Sequence, residues 1–153
     1  MGVMTARHAG WCLSLSMIFL SSNALADTAI GQIKTETGAV SVERSGARKP
    51  LAIGDHVFVS DTIVTANGTV GITFADNSMM SLGPFSRLSL DQFTFDATTQ
   101  NGVFNSSLQK GTLAVKSGQI VRQTPEAMRV RTPAALLGVR GTEFVVSADH
   151  LTP

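Results

Sequence analysis

Histidines and carboxylates are the residues of this 153-residue chain that could do chemistry. A zinc site would need spaced carboxylate or cysteine ligands around a histidine, but His56 follows a Gly–Asp turn as a surface or strand-end residue, and His150 lies in the C-terminal tail. The chain contains no G-x-S-x-G motif, and no serine stands next to either histidine as a nucleophile would. The sequence therefore predicts no catalytic residue.

Oxygen ligands for a hard cation are the next candidates. Asp91 and Asp96 flank an apolar stretch, and residues 76–78 form a polar turn, but neither arrangement matches a calcium-binding loop. A glycosidase would require a second carboxylate facing Glu143 across a cleft, and the sequence singles out no partner for it. We expect no metal, no cofactor and no enzymatic activity. An envelope hydrolase that uses His56 or Glu143 stays open as an alternative.

The first 26 residues have the three parts of a secretory signal peptide. A short basic start at Arg7 precedes the apolar run 10–20, and Ala24-Leu25-Ala26 forms an A-x-A cleavage site. The run is shorter than the roughly 20 apolar residues of a spanning helix. We therefore expect cleavage, no stable membrane span afterwards, and a periplasmic or extracellular location. The one cysteine, Cys12, lies in the signal, so the exported chain would carry no disulfide.

Once the signal with Arg7 is removed, 11 basic and 11 acidic residues balance, but the charges are divided along the chain. Five aspartates accompany a single arginine, Arg87, between residues 55 and 96, whereas six cations accompany only Glu126 between residues 110 and 140. The cations are Lys110, Lys116, Arg122, Arg129, Arg131 and Arg140. One interpretation is that the two sets pair across neighbouring strands; the other is a basic face for an anionic partner. A nucleic acid is not expected, because an exported chain without net positive charge lacks the electrostatic footprint.

Period-two alternation dominates from residue 38 onward, and helical periodicity is nearly absent. Strand-like segments recur every 8 to 12 residues with glycine-containing turns between them. Asn67–Gly68 predicts a tight hairpin, Asn101–Gly102 a second polar turn, and Ser117–Gly118 a turn between two short strands. Gly83–Pro84 should force the chain off one sheet, because proline cannot donate to a strand ladder. The fold class predicted is all-β: an antiparallel sandwich, a β-roll or a jelly-roll-like module.

The run from Arg129 to Val146, RVRTPAALLGVRGTEFVV, predicts a strand, a Thr132–Pro133 turn and a second strand interrupted by two glycines. Glycines inside a strand pattern mark bends or close packing. We expect Arg140, between those glycines, to pair with an acidic group on a neighbouring strand. Phe144 and Val146 should face the core, which leaves Glu143 towards solvent.

Three segments in this order resemble the FecR-type periplasmic domain, a family named from a bacterial iron-citrate sensor. They are GDHVFVSDTIVTANGTVGITFADNSMMSLGPFSRLSL, LQKGTLAVKSGQI and MRVRTPAALLGVRGTEFVV, and they span about residues 54–146. The residues that carry the motif are interpreted as determinants of the fold. They are Gly54, Asp55, Gly83, Pro84, Thr132, Pro133, Gly138, Arg140, Gly141, Thr142 and Phe144.

The resemblance divides the chain into the signal (1–26), an N-terminal strand and linker (27–53), the FecR-type domain (54–146) and a short tail (147–153). Sigma-regulating members of the family combine a cytoplasmic segment, one membrane span and this domain. The sequence shows no such segment or span after the signal. It therefore favours a stand-alone, non-enzymatic binding or scaffold module in the envelope of a Gram-negative bacterium.

Its partner would be a protein or a cell-envelope polymer, contacted in part through Arg122, Arg129 and Arg131. The alternative is an accessory component of an iron-uptake or surface-signalling system that acts with a separate membrane-spanning regulator.

Overall fold

The computed structural model describes Gly2 and residues 27–148, and nearly all of the regular structure in them is β. The strands are β1 (Gly31–Thr37), β2 (Val40–Arg44), β3 (Ala47–Pro50), β4 (His56–Val57), β5 (Thr62–Thr65), β6 (Thr69–Phe74), β7 (Met79–Leu82), β8 (Arg87–Phe95), β9 (Gly102–Lys116), β10 (Met128–Arg131), β11 (Leu136–Gly138) and β12 (Glu143–Ala148). One short helix, α1 (Gln119–Gln123), follows β9. The rest of the predicted signal and residues 149–153, with His150, lie outside the described residues.

The strands form two sheets that share β9. Sheet A has the order β4-β1-β6-β7-β9-β12, and sheet B has the order β3-β2-β5-β8-β9-β10-β11. Every pairing is antiparallel except β9 with β10, which run parallel. The prediction of an all-β, sandwich-like fold is confirmed.

β9 passes from one sheet to the other within a single strand. Its first part pairs with β8 and β10 in sheet B, and the part from Gly111 onward pairs with β7 and β12 in sheet A. Gly111 lies at the change, with φ of +89°, and a Cβ there would come within 2.5 Å of the Ser86 Cα atom. The backbone N–H of Thr112 donates to Ser86 Oγ at 3.0 Å beside it. Only glycine fits this crossing, because both the backbone angle and the close approach exclude a side chain.

The core lies between the two sheets and follows the predicted alternation. Val70, Ile72 and Phe74 on β6 are all buried, as the period-two pattern predicts. Phe74 of sheet A contacts two rings of sheet B, with ring centroids 4.6 Å from Phe104 and 6.0 Å from Phe93. This aromatic group therefore joins the inner faces of both sheets.

The hairpin predicted at Asn67–Gly68 is wrong. β5 pairs with β2 and β8 in sheet B, whereas β6 pairs with β1 and β7 in sheet A, so residues 66–68 connect the sheets instead. The β1–β2 connection runs alongside, and a Cβ on Gly38 would lie 2.8 Å from the Gly68 Cα atom. Gly38 and Gly68 are both needed because the two connections contact each other through their backbones.

The second short strand predicted after Ser117–Gly118 is also wrong, because residues 119–123 form α1. The helix is held against the β6–β7 turn by the Gln119 N–H, which donates to the Asp76 carbonyl at 2.8 Å. Ile120 and Val121 are buried, so the apolar residues that suggested a strand close the end of the core as a helical turn.

Residues 27–53 contribute more than the single strand and linker expected there. β1, β2 and β3 all lie in this range, with β1 in sheet A and the hairpin β2–β3 in sheet B. At the other end of the chain, β12 continues to Ala148, two residues beyond the predicted domain boundary.

Other turns agree with the sequence. Asn101–Gly102 closes the hairpin between β8 and β9, and Gly83–Pro84 lies where the chain leaves sheet A at β7 and enters sheet B at β8. Gly54 has a positive φ in the turn before β4, and Asp55 Oδ2 there accepts the Ala52 N–H at 2.9 Å. Side-chain acceptors of this kind stabilise tight turns.

Candidate functional site

The exposed side of β10 carries two arginines. Arg129 and Arg131 alternate with Met128 and Val130, which are completely buried, so both guanidinium groups leave the same face of the strand. Neither arginine forms an ion pair with any residue of the described part of the chain. Two exposed cations therefore lie side by side on one face of a well-packed strand.

Polar side chains of the two neighbouring strands line the groove beside these arginines. Register places Arg129 next to Asn105 and Arg131 next to Ser107, because β10 runs parallel to β9. Asn105 donates from Nδ2 to Gln92 Oε1 at 2.8 Å, and Ser107 donates to Asp91. The groove has a volume of about 350 Å³.

Two oxygen-bearing side chains of β8 and β9 adjoin this groove. Asp91 lies at a register shift in β8 between Leu90 and Gln92, and the side-chain oxygen of Asn105 is buried without a hydrogen-bond partner among the described residues. An extended ligand along β10 would meet the two cations, whereas the Asp91 carboxylate in the same groove accepts the Ser107 hydroxyl. We define Arg129, Arg131, Asn105, Gln92 and Ser107 as the arginine face.

Farther along the same sheet two arginines share one carboxylate. Arg87 and Arg48 both donate to the Glu43 carboxylate, and these bonds lower the pKa of Glu43 to about 2. Arg87 also donates from Nε to Gln109 at 2.8 Å. Lys49 on β3 and Lys110 on β9 are also exposed on sheet B without an ion-pair partner among the described residues, but they lie on separate strands, whereas Arg129 and Arg131 share one strand.

Arg122, the third predicted partner-binding residue, belongs to a different surface. It lies on α1 and lines a groove of about 680 Å³ together with Arg140, Glu126 and residues 141–142. Arg129 and Arg131 do not line that groove. The structure brings together two of the three predicted arginines.

Pairing of the aspartate-rich half with the cation-rich half, one of the two interpretations of the charge pattern, is not found among residues 27–148. Lys116 pairs with Glu143 at 3.5 Å and Arg140 pairs with Glu126, so both acids come from the C-terminal half itself. Glu126 lies in the turn before β10, not on a strand as expected for the Arg140 partner. Asp61 is instead bound by Arg44, through Nε–Oδ1 and Nη2–Oδ2 bonds of 2.7 Å each.

Residues 129–146 form two separate units. Thr132 closes the turn between β10 and β11: its N–H donates to the Ala135 carbonyl at 2.7 Å, its Oγ1 accepts the Ala135 N–H at 3.0 Å, and Pro133 lies within the turn. The predicted second strand is wrong as a single element, because β11 pairs with β10 whereas β12 pairs with β9.

The two glycines between β11 and β12 do not serve close packing. A Cβ on Gly138 or Gly141 would meet no atom within 4 Å. Gly141 is needed for its φ of +116°, and its carbonyl accepts Ser117 Oγ at 2.7 Å. The Thr142 carbonyl accepts the Ser117 N–H at 2.8 Å and so starts the pairing of β12 with β9. Phe144 and Val146 are partly buried against the core.

The residues that could do chemistry are dispersed. Glu143 is exposed beside Lys116, as its predicted orientation requires, and His56 is an exposed residue of the two-residue strand β4. No three histidine, cysteine, aspartate or glutamate side chains of the described residues come together as a metal site would require. No helix of that part of the chain is long and apolar enough to cross a membrane.

Comparison with known proteins identifies the domain. A family model described as FecR protein matches residues 61–152, which is more than half of the chain. No curated protein and no solved structure matches it. The all-β fold and the closing motif agree with this match, and the chain belongs to the FecR family, which is associated with cell-surface signalling and the regulation of iron uptake.

Proposed function

We propose that the protein is an exported, non-enzymatic binding module of the bacterial cell envelope, and that its arginine face contacts an anionic protein or envelope polymer. The observation that carries the proposal is the pair Arg129 and Arg131, exposed on one face of β10 with no ion-pair partner among the described residues. Alternate residues of a strand are about 7 Å apart, which matches alternate acidic side chains of an extended peptide or neighbouring acidic sugars of a polymer.

Rigid presentation supports this assignment. Met128 and Val130 anchor β10 in the core, and β9 and β11 pair with it on both sides. Arginines held on such a strand lose little conformational freedom when they bind, and a guanidinium can bind a carboxylate or phosphate with two hydrogen bonds.

The test compares two double variants of equal net charge. Immobilised wild-type protein, the double variant Arg129→Gln with Arg131→Gln, and the double variant Lys34→Gln with Lys49→Gln are exposed to envelope extract, and bound proteins and glycans are analysed separately. Lys34 and Lys49 are exposed and lie on β1 and β3, away from β10.

We expect a specific partner to bind the wild type and the lysine variant, to be lost with the arginine variant, and to weaken with added salt. Capture that is equal in both double variants, or no specific capture from either pool, would contradict the proposal.

Family membership favours a second candidate function, an accessory role in iron uptake or surface signalling beside a separate membrane-spanning regulator. Deletion of the gene should then alter sigma-dependent transcription under iron limitation, measured with a reporter. Transcription that is unchanged relative to the parent strain would reject this role and leave the binding module standing.

A further inference from the structure

β12 is an edge strand of sheet A whose outer side is open in the described part of the chain. It pairs with β9 on one side only, contains six residues and no proline, and carries a single charge, Glu143. Val145 at its centre is 69% exposed, and Met79 on the same outer face of the sheet is 46% exposed. Edge strands are normally protected by charges, proline or bulges, so an unprotected apolar edge indicates a partner strand.

The hydrogen bonds of sheet A determine which backbone groups of β12 are free. The Gly83 N–H donates to the Thr112 carbonyl, so the even-numbered residues of this part of β9 point their backbone groups towards β7. Leu113 and Val115 therefore point towards β12, where Val146 and Phe144 stand opposite them. The Ser117 N–H bond to Thr142 fits the same alternation. The N–H and C=O groups of Glu143, Val145 and Ser147 consequently point away from the sheet.

We propose that β12 pairs with β12 of a second copy, antiparallel and centred on Val145. In this register Val145 faces Val145, and Glu143 faces Ser147 of the second copy on both sides of the centre. The three outward-facing residues of each strand would exchange six backbone hydrogen bonds. No like charges stand opposite each other, and the glutamate of each strand meets a hydroxyl donor.

The inner faces are complementary in the same register. Phe144 of one copy stands opposite Val146 of the other, and each is an apolar residue that is only partly buried at the end of its own core. Pairing would cover these side chains and join the two sheets A into one continuous sheet. Other centres are poorer: centring on Glu143 opposes two carboxylates, and centring on Phe144 or Val146 pairs only two outward-facing residues of each β12, which gives four backbone hydrogen bonds instead of six.

A single strand pair buries less than a standard interface, so we expect a reversible dimer with a dissociation constant on the order of 10 to 100 µM. Sedimentation velocity over a concentration series measures this dissociation constant. The protein is purified after any processing by the expressing cell. Val145→Glu places two carboxylates opposite each other and should weaken the dimer about tenfold or more.

Ile53→Glu is the matched control for that variant, because Ile53 is 62% exposed and lies in a turn away from β12. It should leave the dimer unchanged. A wild type that stays monomeric, or equal behaviour of the two glutamate variants, would overturn the proposal. The circular dichroism spectra and melting temperatures of both variants show that each is folded.

The register is tested by a gain of affinity. Ser147→Lys places an ammonium group opposite Glu143 of the second copy on each side of the centre, and the two new ion pairs should tighten the dimer several-fold. Ser147→Glu places a second carboxylate opposite Glu143 and should weaken the dimer. The opposite order, or no effect of either change, contradicts the register.

Hydrogen exchange separates a second copy from other occupants of the edge. The amides of Glu143, Val145 and Ser147 should become protected as concentration rises, while those of Phe144 and Val146, already bonded to β9, should not change. Protection that is independent of concentration would show that the chain covers its own edge and would overturn the proposal.

The pairing does not depend on the arginine face, and Arg129→Gln with Arg131→Gln should dimerise like the wild type.

Discussion

The side chain of Asp61 is only 1% exposed, and its carboxylate accepts three hydrogen bonds. Arg44 donates two of them, and the Phe58 N–H donates the third at 2.9 Å. The bond to Asp61 raises the pKa of Arg44, and the same guanidinium lies 4.4 Å from the centre of the Phe58 ring. A carboxylate this deeply buried needs such partners, because an unpaired buried charge is strongly destabilising. The pair therefore fixes the turn before β5 to strand β2.

Glu43 offers a pH-dependent test at the scale of one residue. Bonds from Arg87 and Arg48 lower its pKa from the ordinary 4.5 to about 2. A carboxylate whose pKa is lower in the folded state stabilises fully above its unfolded pKa, and that stabilisation is lost as pH falls towards the folded value. The free-energy difference of unfolding between wild type and Glu43→Gln should be largest near neutral pH and should shrink from about pH 4.5 to pH 2. Urea titrations at several pH values measure it.

Glu36→Gln is the control for this titration. Glu36 lies on β1 and has no ion-pair partner among residues 27–148. Its variant removes a carboxylate without breaking an ion pair. If the Glu43→Gln difference were constant over this range, the two arginines would not be stabilising the ionised form.

The crossing of β9 at Gly111 is the decisive feature at the scale of elements. Gly111→Ala would combine an unfavourable positive φ with a clash against Ser86, and should lower the free energy of unfolding by about 3 kcal/mol or more. Gly46→Ala is a matched control: Gly46 has a φ of +78° in the β2–β3 turn, but a Cβ there meets no atom within 4 Å.

The control should lower the free energy of unfolding by about 1 to 2 kcal/mol, the cost of the backbone angle alone. Urea unfolding followed by circular dichroism compares the two. Equal losses would mean that the contact with Ser86 contributes nothing.

Two Asn–Gly pairs show how far local sequence can predict these elements. Asn101–Gly102 ends the turn of a hairpin, whereas Asn67–Gly68 connects the two sheets. The dipeptide indicates only that the chain turns, which is a local property. The pairing partners of β6 depend on the burial of Val70, Ile72 and Phe74 between the two sheets. Local sequence also fails to predict α1, because its apolar residues Ile120 and Val121 are buried at one end of the core without strand pairing.

At the scale of the whole molecule, the aromatic group holds the two sheets together. Phe104 is completely buried on β9, and its ring lies 4.6 Å from Phe74 and 5.0 Å from Phe93, centroid to centroid. Phe104→Ala should lower the free energy of unfolding by about 3 to 5 kcal/mol, because it leaves a cavity and removes both ring contacts.

Phe85→Ala is the control for this substitution, because Phe85 is 59% exposed in the connection between β7 and β8. It should change the free energy of unfolding by less than about 0.5 kcal/mol. Chemical denaturation measures both variants. A small effect at Phe104 would mean that the interior between the sheets can collapse around the missing ring.

The arginine face could be predicted only in part, because some of its residues are brought together by the topology of the whole fold. Alternation in residues 128–131 predicts that Arg129 and Arg131 share an exposed face, and the structure places them so. Asn105, Gln92 and Ser107 join them through the parallel pairing of β10 with β9, which depends on topology. Arg122 belongs to the same cation-rich stretch of the sequence, but α1 carries it to another groove.

The strand that both sheets share also affects the chain while it is being made. Until residues 102–116 have emerged, β8 has only β5 as a partner in sheet B and β7 has only β6 in sheet A. A nascent chain of about 100 residues would thus expose two bare sheet edges at once, each a template for aggregation. Both edges can be covered only when β9 is available, so the two sheets are completed by the same strand.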